Sequence, residues 1–183
     1  MPHHIIAEID LSEQNKTWLS NLRRQYSDLT YQQDEIYFSL GSPISDVVPT
    51  DMLVEYIKKR VFYFETFEYA LRSTQIRLDK NYPEGNLVLI PDKGFSHLMR
   101  MHSMIYTYGV EPFMNRDVFR PYLPQVIIGR LSDVRIPNTI QVTREISLSE
   151  FEITGKIERL IMLKDIDGTI QDRYIISLGS QFG

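Results

Sequence analysis

Cysteine is absent from the 183 residues, which excludes a disulfide scaffold, a thiolate metal site and a cysteine nucleophile. Histidine is scarce, and His3, His4, His97 and His102 are the whole supply of imidazole. Apolar runs are short, as in Leu87-Val88-Leu89-Ile90 and Leu160-Ile161-Met162-Leu163, far below the ~20 residues that span a bilayer. The start, Met1-Pro2-His3-His4-Ile5-Ile6, has neither the basic opening nor the apolar stretch of a secretory signal. Together these absences lead us to expect a cytoplasmic protein without a membrane partner. Positive charge is not in excess, since the net charge is −4. Binding of DNA or RNA by bulk charge is therefore disfavoured, although a local basic site stays open. No Gly-rich phosphate loop, Gly-x-Ser-x-Gly elbow or His-Glu-x-x-His helix occurs. His97 and His102 are five residues apart, not the i, i+4 spacing that brings two helical imidazoles onto one metal. Neither a metal nor a cofactor is expected.

What is present suits one globular domain spanning residues 1–183. Hydrophobic residues make up 43% and charged residues 24%, ordinary values that rule out wholesale disorder. Residues 3–9 read as a strand with Ile5, Ala7 and Ile9 on one face and Ile6 and Glu8 on the other. Asp10 with Glu13 resembles a capping box for a following helix with Trp18, Leu22 and Tyr26 on one stripe. A short strand over 36–41 ends at Gly41-Ser42-Pro43, and Met52, Leu53, Tyr56 and Ile57 recur at helical spacing within 50–59. Residues 62–78 are aromatic and partly alternating, and 86–90 form another strand. Asp92 is the expected cap of a helix carrying Leu98, Met101, Ile105 and Tyr108, with Gly109 as its stop. A proline loop leads to a strand over 124–130. Residues 151–163 and 169–178 read as a terminal hairpin around Asp167-Gly168. The order of elements predicts an α+β fold of two similar lobes. Lys58, Lys59, Arg60, Arg72, Arg77 and Lys80 form a basic middle region that reads as a solvated face. Asp165-Ile166-Asp167-Gly168 echoes a calcium loop but lacks its remaining ligands, so a turn explains it better.

Two segments carry more than pattern. One is Tyr37-x-Ser39-Leu40-Gly41; the other is Pro124-Gln125-Val126-Ile127-Ile128-Gly129-Arg130. In this layout the chain resembles the 2H phosphoesterase superfamily, which includes the 2′-5′ RNA ligase-like and cyclic phosphodiesterase proteins. There each lobe supplies one His-x-Thr/Ser strand, the second often reading Pro-His-Ile-Thr-Ile-Gly-Arg. The resemblance implies antiparallel sheets around a central cleft, helices packed outside, and two imidazoles that trade protons with a phosphodiester. It also shows what is missing. Tyr37 stands at the first histidine position and Gln125 at the second; Ser39 keeps the first hydroxyl, and Ile127 replaces the second. A phenol ordinarily titrates near 10 and an amide not at all, so neither matches an imidazole at neutral pH. Each lost acid or base typically forfeits ~10² to 10⁴ in rate.

The resemblance therefore implies a degenerate site that binds a nucleotide or RNA phosphate through Tyr37, Ser39, Gln125, Ile127 and Arg130. The plainer reading of those residues is a half-buried strand, a core strand and a surface arginine. Two alternatives remain at this point: a phosphodiesterase using His3 or His4 with Tyr37, and a partner-binding module whose cleft is filled by side chains.

Overall fold

Local chemistry accounts for the starts of two helices, and in both it corrects the expected cap. The computed structural model describes residues 2–25, 29–30, 36–78, 83–110, 113, 121–131, 133–135, 151–166 and 169–179. Strand β1 (His3–Glu8) buries Ile5 and Ala7 on one face and turns His4, Ile6 and Glu8 to the other. Helix α1 (Glu13–Gln25) is capped by Ser12, not Asp10. The Ser12 Oγ accepts the Asn15 N–H at 3.2 Å, and the Ser12 carbonyl accepts the Lys16 N–H at 3.0 Å. A serine placed directly before the first turn satisfies these orphan donors, while Asp10 lies too far back along the chain. The Leu22 and Tyr26 side chains of the expected stripe fall outside the described residues.

Next come β2 (Leu29–Thr30), β3 (Tyr37–Ser39), α2 (Thr50–Val61), β4 (Phe67–Leu78) and β5 (Gly85–Lys93). Helix α3 (Phe95–Ile105) starts from Gly94, which holds φ at 85°. A Cβ there would also meet the Glu68 carbonyl oxygen at 2.9 Å, so glycine fits where a side chain would not. Asp92, the expected cap, instead ends β5, where it pairs with Arg72 and accepts the Lys93 N–H. Nor does Gly109 stop the helix: a π-helical turn continues over Tyr106–Val110.

Strands β6 (Val126–Leu131), β7 (Ile153–Ile157), β8 (Arg159–Ile166) and β9 (Thr169–Ser177) complete the chain. The single strand expected over 151–163 is two strands. Buried Ile157 and Leu160 flank exposed Glu158 and Arg159, so the period-two pattern breaks there. At that break the chain leaves one sheet for the other. The terminal hairpin of β8 and β9 is present; its turn, with Asp167 and Gly168, lies outside the described residues.

The fold is α+β with two antiparallel sheets, ordered β3-β1-β8-β9 and β2-β6-β5-β4-β7. One hydrophobic core joins them. Leu53 and Ile57 of α2 and Leu98, Met101 and Ile105 of α3 pack in the same cluster as Phe38 of β3, Leu87 and Leu89 of β5, and Val126 and Ile128 of β6. Phe38 meets Tyr69 edge-on with centroids 5.6 Å apart, and Trp18 of α1 stacks on Phe151 at 4.8 Å. None of the described helices is long and apolar enough to cross a membrane.

Candidate functional site

The two motif strands come together. Residues of β3 and β6 approach within 8 Å between Cα atoms. Both strands send their intervening residues, Phe38 on one and Val126 and Ile128 on the other, into the core beneath α2 and α3. Because strand side chains alternate, Tyr37 and Ser39 lie on the face of their sheet away from this core, and Gln125 and Ile127 on the corresponding face of the other sheet, all of them half-buried.

Arg130 reaches that side through an irregularity. Val88 of β5 pairs with Ile127, but the next residue back, Leu87, pairs with Gly129, so one residue of β6 is left over. This bulge reverses the alternation and puts Arg130, opposite Asn86, on the face of Ile127 and Gln125. In a regular strand Arg130 would point at the core. Its guanidinium pairs with Glu84 and is exposed.

Register also delivers a residue that strand patterning alone left on a solvated face. Arg77 pairs with Asn86, and Asn86 with Arg130, so all three share one face. The Arg77 Nη1 donates to Gln125 Oε1 at 2.6 Å. That bond uses the amide oxygen and leaves the Gln125 NH₂ as a donor. A sequence signal for Arg77 did exist: Ser73, Gln75 and Arg77 are polar at period two along β4.

On the other strand, Tyr37 packs beside Ile6, Ile161 and Leu163. The register pairs Glu8 with Tyr37 and Ile6 with Ser39. Ser39 donates its hydroxyl hydrogen to the Gly41 carbonyl at 3.0 Å, so it must turn from that bond before donating to a ligand. Glu8 accepts from both Arg159 and Arg173.

The four histidines divide clearly. His3 faces the core, with Nε2 3.1 Å from Thr50 Oγ1, and burial together with Lys164 pushes its pKa down. His4 lies on the face of Ile6 and Ser39. His97 stacks on Phe67 at 4.9 Å. His102 stacks on Tyr122 at 4.0 Å and Tyr106 at 5.0 Å, and its Nδ1 is 2.6 Å from the Leu40 carbonyl oxygen. Burial lowers the His102 pKa, and the Leu40 carbonyl raises it by less. Burial raises the phenols of Tyr106 and Tyr122. His102 thus touches both the end of β3 and the approach to β6, but it supplies no imidazole to the motif positions. No group of three or more potential ligand side chains that could hold a metal occurs among the described residues.

Two antiparallel sheets that bring two motif strands side by side, with helices behind them, define the 2H phosphoesterase fold. The solved structures similar to this chain carry the same fold. Usb1 from Kluyveromyces marxianus superposes with a TM-score of 0.62 at 8% identity, covering 97% of this chain and 98% of its own. TT0787 of Thermus thermophilus gives 0.62 at 10% identity over 98% and 100%. E. coli LigT complexed with 3′-AMP gives 0.61 at 11% identity over 96% and 99%. These three belong to the 2H phosphoesterase superfamily. No protein-family model and no curated protein sequence matches the chain.

Proposed function

We propose that the chain binds the phosphate of a nucleotide or an RNA end on the surface shared by β3 and β6, without the two-imidazole chemistry of the fold's enzymes. The observation that carries this reading is the pair of guanidiniums, Arg77 and Arg130, on the sheet face of Gln125. Guanidinium donors fit phosphate oxygens in a planar, bidentate way. With the Gln125 NH₂ they form a donor-rich surface that can hold an anion. Tyr37 and Gln125, at the positions of the family's imidazoles, can hydrogen-bond but do not relay protons at neutral pH. Ile127 offers an apolar wall instead of a hydroxyl. Structures of similar proteins hold uridine monophosphate, in Usb1, and 3′-AMP, in LigT, which supports a nucleotide as the ligand class.

Calorimetric titration with nucleoside 3′-monophosphates and 2′,3′-cyclic nucleotides tests the reading. Binding is expected, with Arg130→Ala and Arg77→Ala each weakening it about tenfold or more, as loss of a charge-assisted hydrogen bond does. Failure to bind any of these at millimolar concentration removes the reading.

One observation favours a second reading. His4 shares its face with Ser39 and Ile6, so an imidazole lies on the first motif surface. A phosphodiesterase using His4 with Tyr37 would turn over a 2′,3′-cyclic nucleotide and lose that turnover in His4→Ala. An inert wild-type protein across such substrates discards it.

A further inference from the structure

Beside Tyr37 lies a cavity of about 280 Å³. This is slightly below the ~300 Å³ at which pockets begin to hold drug-sized ligands, so it suits a single planar ring system. Its walls include Ile6, Leu11 and Ile36, and Tyr37 belongs both to it and to the motif surface. Four charged residues line it: Glu8, Asp10, Lys16 and Arg173. Asp10 is exposed and does not cap α1, a role that Ser12 takes. Glu8, also in the wall, is committed to Arg159 and Arg173. Lys16, which bonds to Glu13 at 2.7 Å, remains exposed.

We propose that this cavity is a nucleobase site selective for guanine. An ionised carboxylate only accepts hydrogen bonds, and it can accept two at once. Guanine alone among the common bases presents two adjacent donors on one edge, N1–H and the N2 amino group. Its neighbouring O6 is an acceptor suited to an ammonium. Adenine puts an acceptor, N1, where Asp10 needs a donor. Uracil flanks its one N–H with two carbonyl oxygens. Cytosine sets its amino group beside the acceptor N3. Sites built to pair with a given donor reject bases lacking it, because the acceptor is left unpaired. A base seated here leaves its sugar and phosphate beside β3. The inference therefore rests on the reading that the motif surface holds a nucleotide phosphate, and it adds which nucleotide.

The test is calorimetry on the full chain with 3′-GMP, 3′-AMP, 3′-UMP and the phosphate-free nucleoside guanosine, in wild type and Asp10→Asn. Circular dichroism checks that the variant is folded. In the wild type, 3′-GMP should bind about tenfold or more tighter than 3′-AMP or 3′-UMP. Asp10→Asn should bring 3′-GMP down to the level of 3′-AMP. Equal affinities for the three nucleotides in the wild type overturn the base assignment and leave phosphate binding intact. A guanine preference that survives Asp10→Asn overturns the role of this cavity. Guanosine bound as tightly as 3′-GMP, and lost with Asp10→Asn, supports the cavity while overturning the phosphate reading. No binding of nucleotides or guanosine overturns both.

Discussion

Gly41 ends the first motif strand under the ring of Tyr106. A Cβ built at Gly41 would lie 2.5 Å from the ring carbon Cζ, closer than packed atoms allow. Tyr106 is buried, and His102 stacks against it while bonding to Leu40, so the ring cannot swing aside cheaply. Gly41→Ala should therefore destabilise the protein by about 1–3 kcal/mol, the usual penalty for overpacking. A urea midpoint lowered by that equivalent is expected, and an unchanged midpoint would contradict the packing argument. At the same scale, a His-x-Thr frame is local, so Tyr37, Ser39, Gln125, Ile127 and Arg130 could be named as candidates from two short segments. The period-two pattern put Arg77 on the face of Ser73 and Gln75 but could not place it beside Gln125, which depends on a register linking residues 48 apart.

Among the elements, α1 separates two candidate caps by chemistry. Ser12→Ala should cost about 1 kcal/mol, because the Asn15 amide loses its acceptor. Asp10→Ala should leave the thermal midpoint unmoved. A larger loss in Asp10→Ala than in Ser12→Ala would restore the capping box read from the sequence. Both residue types cap helices well, so sequence reading fell to the one that completed the motif with Glu13. Strands with clean alternation, such as β1, were legible down to their faces. The split between β7 and β8 was not, because which sheet a strand joins is decided by distant hydrogen-bond partners. The β6 bulge was equally invisible: it appears only in the pairing with β5, yet it decides where Arg130 points.

Across the whole molecule, the sheets are assembled from remote segments, and β3 and β6 meet only because each buries its alternate residues in one shared core. That arrangement brings motifs almost ninety residues apart (Tyr37 and Gln125) onto strands that approach within 8 Å between Cα atoms. The class of fold was legible because element order and two motif frames constrain topology together. The ligand was not, because Tyr37, Gln125 and Ile127 do not by themselves announce a chemistry. The most direct test of the proposal that Tyr37 and Gln125 stand at the family's imidazole positions on one shared surface is to measure 2′,3′-cyclic nucleotide hydrolysis against pH in the triple variant Tyr37→His, Gln125→His, Ile127→Thr. Turnover above the wild-type background is expected, with a bell-shaped profile set by two imidazoles and lost when either histidine is reverted. A folded triple variant that binds the nucleotide and never turns it over would contradict the shared surface.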